Sequence, residues 1–170
     1  TKEHYNFDGW EVESEESVSI SNNKFTMPAA GVTVRAQWKP VVYTVSIYYL
    51  TTTGKNLRSA TTSDVAYNED FSLKNDYELP EVKGYELNRI KRDSDNEETT
   101  YFSNYKEFMK IQSVEKDEAF YVIYNPTYVD YTVYHFIQKV DGSYSSEPDE
   151  VENLSEILGY QTAFFRRKHI

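Results

Sequence analysis

Val32-Thr33-Val34-Arg35-Ala36-Gln37-Trp38-Lys39-Pro40 is the stretch on which the fold turns. Val32, Val34, Ala36 and Trp38 alternate with Thr33, Arg35, Gln37 and Lys39. A period of two puts the first set on one face of an extended strand and the second in water. Proline then removes a backbone donor and holds φ near −65°, so the strand has to stop there.

Just downstream, Tyr43, Val45, Ile47 and Tyr49 fall on one face of a second strand, and Thr44, Ser46 and Tyr48 on the other. The tripeptide Tyr43-Thr44-Val45 recurs as Tyr131-Thr132-Val133, an offset of 88 (131 − 43) that also carries Gly54 onto Gly142. Trp38-Lys39-Pro40 is echoed by Tyr124-Asn125-Pro126 at an offset of 86 (126 − 40). Self-similarity of this kind marks tandem units. The prolines mark their junctions and divide the chain into 1–40, 41–127 and 128–170. The expected class is mainly β (α+β), with small modules in tandem and short helical elements.

Within the first segment, Phe25 and Met27 predict a shorter strand that ends at Pro28, and Phe7-Asp8-Gly9-Trp10 predicts a glycine turn between two rings. In the second, a turn follows at Thr53-Gly54, and Lys83-Gly84 introduces a strand over 85–90. The wholly apolar run 119–124 (AFYVIY) is a buried strand, far short of the roughly 20 residues that cross a bilayer. Residues 91–100 read as an exposed polar loop or insertion, and residues 101–112 as a short helix through Tyr105, Phe108, Met109 and Ile111 or Gln112. In the third, a strand over 131–138 turns at Asp141-Gly142. Val151, Leu154, Ile157 and Leu158 then have helical spacing, with Glu147, Asp149 and Glu150 at the dipole-favoured start.

Charge narrows the function classes. Lys plus Arg number 18 against 28 for Asp plus Glu, a net charge of −10 that repels phosphate backbones and anionic membranes, so neither nucleic acid nor membrane insertion is expected. The basic group Arg166, Arg167, Lys168 and His169 reads as a solvated tail. With no cysteine, disulfides and thiolate metal sites are ruled out. Tyrosine, with 16 copies, suits thin modules because its ring packs on a shallow core while its hydroxyl stays in water. The chain starts at Thr1 without a charged-then-apolar leader, which is the expectation for a piece cut from a longer polypeptide.

Catalytic chemistry has no visible carrier. His4, His135 and His169 lack partners at metal or triad spacing, and no Gly-x-Ser-x-Gly elbow or phosphate-cradling glycine loop is present. His135 takes the place of Ile47 in the 88-residue alignment and is expected to face the module core as a hydrogen-bonded structural residue. Asp93, Asp95 and Glu97 offer oxygen ligands at alternating positions, as a calcium loop would. The loop lacks a glycine at the sixth position and a distant bidentate Glu, so a solvated acidic loop is the stronger reading. No catalytic residue and no cofactor is expected. A Lys-Asn isopeptide crosslink, which would stabilise a chain without disulfides, would show as a mass deficit of about 17 Da.

Phe7-Asp8-Gly9-Trp10 followed by Met27-Pro28-Ala29-Ala30-Gly31 and the strand 32–38 resembles the second half of an internalin-type B repeat, with Gly31 where that family usually has Asp. The resemblance implies a small β-grasp module of a tandem bacterial surface protein. Residues 43–124 resemble the repeats of mucin-binding surface proteins through the Tyr-Thr-Val strand, Gly54-Lys55, Gly84-Tyr85-Glu86-Leu87 and the closing Val122-Ile123-Tyr124. Tyr131-Thr132-Val133-Tyr134-His135-Phe136 through Asp141-Gly142-Ser143-Tyr144 resembles the start of a further repeat. These families usually have a Gly/Thr turn over 154–159, which conflicts with the helical spacing there.

The resemblances imply an extracellular, cell-wall location and a non-enzymatic spacer that projects a functional head, with neighbouring modules as its partners. The alternative is an adhesion module for host glycoprotein or glycan. Residues 131–138 carry apolar side chains on both faces. They are expected either to dock on the central module or to pair with a second chain through an open edge.

Overall fold

The computed structural model describes residues 1–14, 16–94, 97–100 and 102–160. Their strands form three sheets. β1 (Tyr5–Ser14) and β2 (Val32–Pro40) make an antiparallel pair. The central sheet contains β3 (Val42–Thr51), β4 (Thr61–Ala66), β5 (Tyr85–Arg92), β6 (Glu98–Thr99) and β7 (Glu118–Pro126), in the order β4-β3-β7-β5-β6. β8 (Tyr128–His135) and β9 (Glu150–Ile157) make a second antiparallel pair. Helix among the described residues is confined to a 3₁₀ turn, Phe102–Asn104, running into α1 (Tyr105–Phe108), so the protein is mainly β.

In the central sheet the neighbours β3 and β7 run parallel, and every other contact between adjacent strands is antiparallel. The alternation read at residues 43–49 is the observed one: Val45, Ile47 and Tyr49 are buried and Tyr48 is exposed. Phe120, Val122 and Tyr124 of β7 and Ile90 of β5 continue that buried face. Two irregular segments cover it, bringing Phe71 from one side and Met109, Ile111 and Val114 from the other. Phe71 and Ile111 exchange both backbone hydrogen bonds (2.8 and 3.0 Å), so the two covering segments are fastened to each other.

Two buried tyrosines of this core, Tyr49 and Tyr124, carry their hydroxyls to polar partners. The Tyr49 hydroxyl lies 2.7 Å from that of Tyr77 and 2.8 Å from Thr61 Oγ1, and the Tyr124 hydroxyl donates to the Pro80 carbonyl at 2.8 Å. Burial pushes the Tyr124 phenol from its ordinary 10.0 up to about 12, and it raises that of Tyr77 further, with the Tyr49 hydrogen bond adding to the effect. Above pH ~10 the unfolded chain releases phenolic protons that the folded chain keeps, so stability must fall with rising pH. The stabilisation from Tyr124 is complete below pH ~10 and is lost between there and its folded value. An alkaline titration should therefore show exposed tyrosines ionising first and a second rise in tyrosinate absorbance that coincides with loss of near-ultraviolet dichroism. A single ionisation step with the dichroism intact would contradict this.

Several expectations from sequence are corrected. The expected helix after Pro148 is a strand, β9, paired with β8 from Tyr128↔Ile157 to His135↔Glu150. The edge of β8 needs backbone partners, and that demand overrides the helical spacing of the apolar side chains. Phe25 and Met27 form no strand; they are exposed, next to an isolated bridge between Ser21 and Lys24. Phe7-Asp8-Gly9-Trp10 is no turn but a bulge within β1, where Gly9 adopts φ +119°. The polar run 91–100 is partly sheet, because β5 extends to Arg92 and β6 pairs back with it. The helix expected over 101–112 contracts to the two short turns above. Its first residue, like Asp95 of the acidic loop and the basic group at 166–169, lies outside the described residues.

Candidate functional site

Single residues join the sheets: Val41 between β2 and β3, and Thr127 between β7 and β8. At the first junction the Val41 N–H donates to the His4 carbonyl (2.8 Å), and the Val41 carbonyl accepts from the Tyr67 N–H (2.8 Å). At the second, the Thr127 N–H donates to the Gly84 carbonyl (2.8 Å), and its carbonyl accepts from the Leu158 N–H (2.8 Å). Each linker residue is thus bonded backward to the sheet it leaves and forward to the sheet it enters.

The surroundings repeat as well. Tyr5 and Tyr85 each close a turn onto the carbonyl three residues earlier, Lys2 (3.2 Å) and Val82 (3.0 Å). The residue before each tyrosine, His4 (φ 59°) or Gly84 (φ 79°), is left-handed. Beyond β4 and β9, Glu69 and Tyr160 close matching turns onto Ala66 (3.0 Å) and Ile157 (3.1 Å), through left-handed Asn68 (φ 66°) and Gly159 (φ 79°). Tyr5↔Pro40 corresponds to Tyr85↔Pro126, and the bulge at Phe7/Gly9 corresponds to that at Leu87/Arg89. Val42↔Ala66 corresponds to Tyr128↔Ile157.

One backbone device is therefore built twice. β1 and β2 match β5 and β7, while β8 and β9 match β3 and β4. The strands that meet at the junctions are offset by 86 residues (126 − 40 and 128 − 42). The turns at Gly54 and Gly142 also match, each glycine N–H bonding three residues back (2.9 Å), and these are offset by 88. Two additional residues thus separate β8 from its turn. A slip of two keeps every side chain on its own face. In the junction register His135 therefore occupies the place of Tyr49, not Ile47. It is exposed beside Glu152 (3.8 Å) instead of facing a core, because among the described residues β8 and β9 have no third strand beside them.

Side chains fill the two copies differently. His4 stacks on Tyr67 with ring centres 4.3 Å apart and planes within 9°, and its Nδ1 lies 2.8 Å from the Tyr43 hydroxyl. Tyr5 meets Tyr67 edge-on at 5.7 Å. At the second junction backbone approaches backbone: a Cβ on Gly84 would lie 2.4 Å from the Leu158 carbonyl oxygen and 2.9 Å from Ile157 Cγ2. Tyr85 meets Tyr160 edge-on at 6.4 Å, and their hydrogen bond, followed by burial, holds the Tyr85 phenol above its ordinary value. This is how the third sheet attaches to the central one.

Other candidates are weaker. The clefts are open and mostly apolar. One of about 660 Å³ is lined by Leu79, Pro80, Glu81, Val82, Lys83, Tyr85, Leu87 and Tyr124, and another of about 500 Å³ lies along β4. The second is lined by Asp64, Glu69, Asp70 and Lys74 as well as by Val65 and Phe71. Among the described residues no three His, Cys, Asp or Glu side chains converge as a metal site would need. Asp93 follows β5 in a turn, its N–H donating to Ala119 (3.0 Å), while the Glu97 carbonyl accepts from Arg92 (2.8 Å). No helix among the described residues is long and apolar enough to cross a membrane.

Strands end at both prolines, Pro40 and Pro126, but His4, Tyr67 and Gly84 were missed as the residues beside the linkers. The signal available was a tyrosine that opens a strand directly after a residue suited to positive φ. Gly84 fits that pattern and His4 disguises it.

A bonded linker repeated at matching registers defines a repeat-built β protein. Residues 1–42 match the family model described as the divergent InlB B-repeat domain, a span that takes in β1, β2 and the linker Val41. That family points to a repeat protein of the bacterial surface. No curated protein matches the chain.

Proposed function

We propose that this chain is a non-enzymatic spacer region of a bacterial cell-surface protein, built from modules at 1–40, 41–127 and 128–170, that holds a functional head away from the cell wall. The observation that carries this reading is the one-residue link bonded to both neighbouring sheets, because a linker without free torsions transmits orientation where a flexible one would lose it. Its partners are then its own neighbouring modules, and its location is extracellular. The order β4-β3-β7-β5-β6, with a parallel pair at its centre, supports a β-grasp-like module in which irregular segments take the place of a long helix.

Spin labels on β1 and β9 test the idea through their distance distribution. A single narrow distribution is expected. Tyr67→Ala, which removes the stack on His4, should broaden it and cost about 1 kcal/mol. A distribution already broad in the unaltered chain would rule out the spacer.

A second reading, adhesion to host glycoprotein or glycan in the manner of mucin-binding repeats, is favoured by one feature. Tyr48 and Tyr121 stack at 5.4 Å on the outward face of the central sheet, an aromatic pair whose outer ring face suits a sugar ring. Binding on a glycan array that Tyr48→Ala abolishes would favour it over the spacer, and an empty array would remove it.

A further inference from the structure

The parallel contact of β3 with β7 makes one sheet out of the β3–β4 hairpin and the β5–β7 pair. Backbone hydrogen bonds and the packed core hold this seam, and a chain without cysteine cannot span it with a disulfide. On the outward face, Tyr48 of β3 and Tyr121 of β7 are register partners across it. Their rings stack with centres 5.4 Å apart and planes within 17°. Tyr48 is 37% exposed and Tyr121 half-buried, so a ring of the pair is open to an oxidant.

We propose that Tyr48 and Tyr121 form a modification site, at which one-electron oxidation by a haem peroxidase with hydrogen peroxide joins the two rings as dityrosine. Each ring gives up one electron and its phenolic proton. The two phenoxyl radicals then form a carbon–carbon bond between positions ortho to the hydroxyls, and the two ortho hydrogens pass to the oxygens and restore both phenols. Two electrons and two protons leave in all, and one hydrogen peroxide takes them up as two waters. Neighbouring strands lie about 4.8 Å apart, so side-chain rotation alone brings the ortho carbons of stacked register partners together. Burial, followed by the negative charge of Asp93, holds the Tyr121 phenol above its ordinary value, and the same charge favours departure of the electron.

Other tyrosine pairs are set differently. Tyr5 meets Tyr67 with planes 78° apart and Tyr85 meets Tyr160 with planes 73° apart, so each turns a ring edge toward a ring face. Tyr49 and Tyr77 meet hydroxyl to hydroxyl, and Tyr49 is buried. A bond between residues 48 and 121 ties positions 73 residues apart (121 − 48) across the seam. A constraint of that length on the unfolded chain lowers the unfolding equilibrium constant about a thousandfold. The crosslink depends on neither reading of function, since it acts on the central sheet itself.

Treating the dilute 170-residue chain with a haem peroxidase and hydrogen peroxide tests this. The monomer should gain dityrosine fluorescence and show a mass deficit of about 2 Da, the loss of two hydrogens. Peptide mapping should join the segment that holds Tyr48 to the one that holds Tyr121, and the urea midpoint of the oxidised monomer should rise. Tyr48→Phe and Tyr121→Phe keep the ring and lose the phenolic hydroxyl, so each should unfold near the unaltered midpoint before oxidation and lose both the crosslinked peptide and the rise after it. Dityrosine confined to dimers and larger species, a monomer whose crosslink maps to other tyrosines, or an undiminished yield in either variant overturns the proposal. The mapping on the unaltered chain decides the matter even where a variant fails to fold.

Discussion

Replacing Phe120 with alanine is expected to cost the central sheet about 3–5 kcal/mol, a large part of what holds a domain of this size together. Phe120 is 0% exposed and stands on β7, the strand that pairs with both β3 and β5. Its ring packs against Phe71 (6.4 Å) and Phe108 (6.3 Å), one from each covering segment. Truncation thus opens a cavity where the two pairs and both covers converge, and the fastened segments have little freedom to collapse into it. Thr62→Ala, on the exposed side of β4, should stay within about 0.5 kcal/mol. Urea unfolding followed by near-ultraviolet dichroism separates the two. A loss below about 1 kcal/mol for Phe120→Ala would mean that the core lies elsewhere.

The strands legible in the sequence were those with one wet face and one dry face. Residues 32–38, 43–49 and 119–124 announce themselves because burial on one side imposes a period of two, or a continuous apolar run. β4 went unread for the opposite reason. In Thr61-Thr62-Ser63-Asp64-Val65-Ala66 only Val65 is buried, so an edge strand leaves almost no hydrophobic signature.

β9 was misread as a helix because Val151, Leu154 and Leu158 are all exposed, and exposed apolar residues follow no period that packing has to respect. The backbone needs of β8 decided the matter, and those cannot be seen in side-chain patterns. The same holds for the junctions. Proline marked where the strands end, but the bonds that fasten Val41 and Thr127 run between backbone groups, and the residues beside them, His4 and Gly84, share a conformation and not a chemistry.

Gly84→Ala should detach the third sheet while leaving the central one folded. Two costs fall on this position. A φ of 79° is left-handed, which charges any side chain about 1–2 kcal/mol. The added Cβ would also lie 2.4 Å from the Leu158 carbonyl oxygen, a backbone atom that cannot swing aside as a side chain could. Relief requires Leu158 to move, and Leu158 donates the forward bond to Thr127, so the junction opens. Gly54→Ala is the control: its φ is 83°, but no atom lies within 4 Å of the added carbon, so it bears the conformational cost alone.

The His4 position of the first junction shows that the backbone device tolerates a side chain where the facing residue leaves room, as Tyr67 does by stacking. Amide exchange should therefore accelerate over 128–135 and 150–157 by about tenfold or more in Gly84→Ala, the equivalent of ~1.4 kcal/mol, and should stay near the unaltered rate there in Gly54→Ala. Unchanged protection of β8 and β9 in Gly84→Ala would show that something other than the close approach at Leu158 holds the third sheet in place.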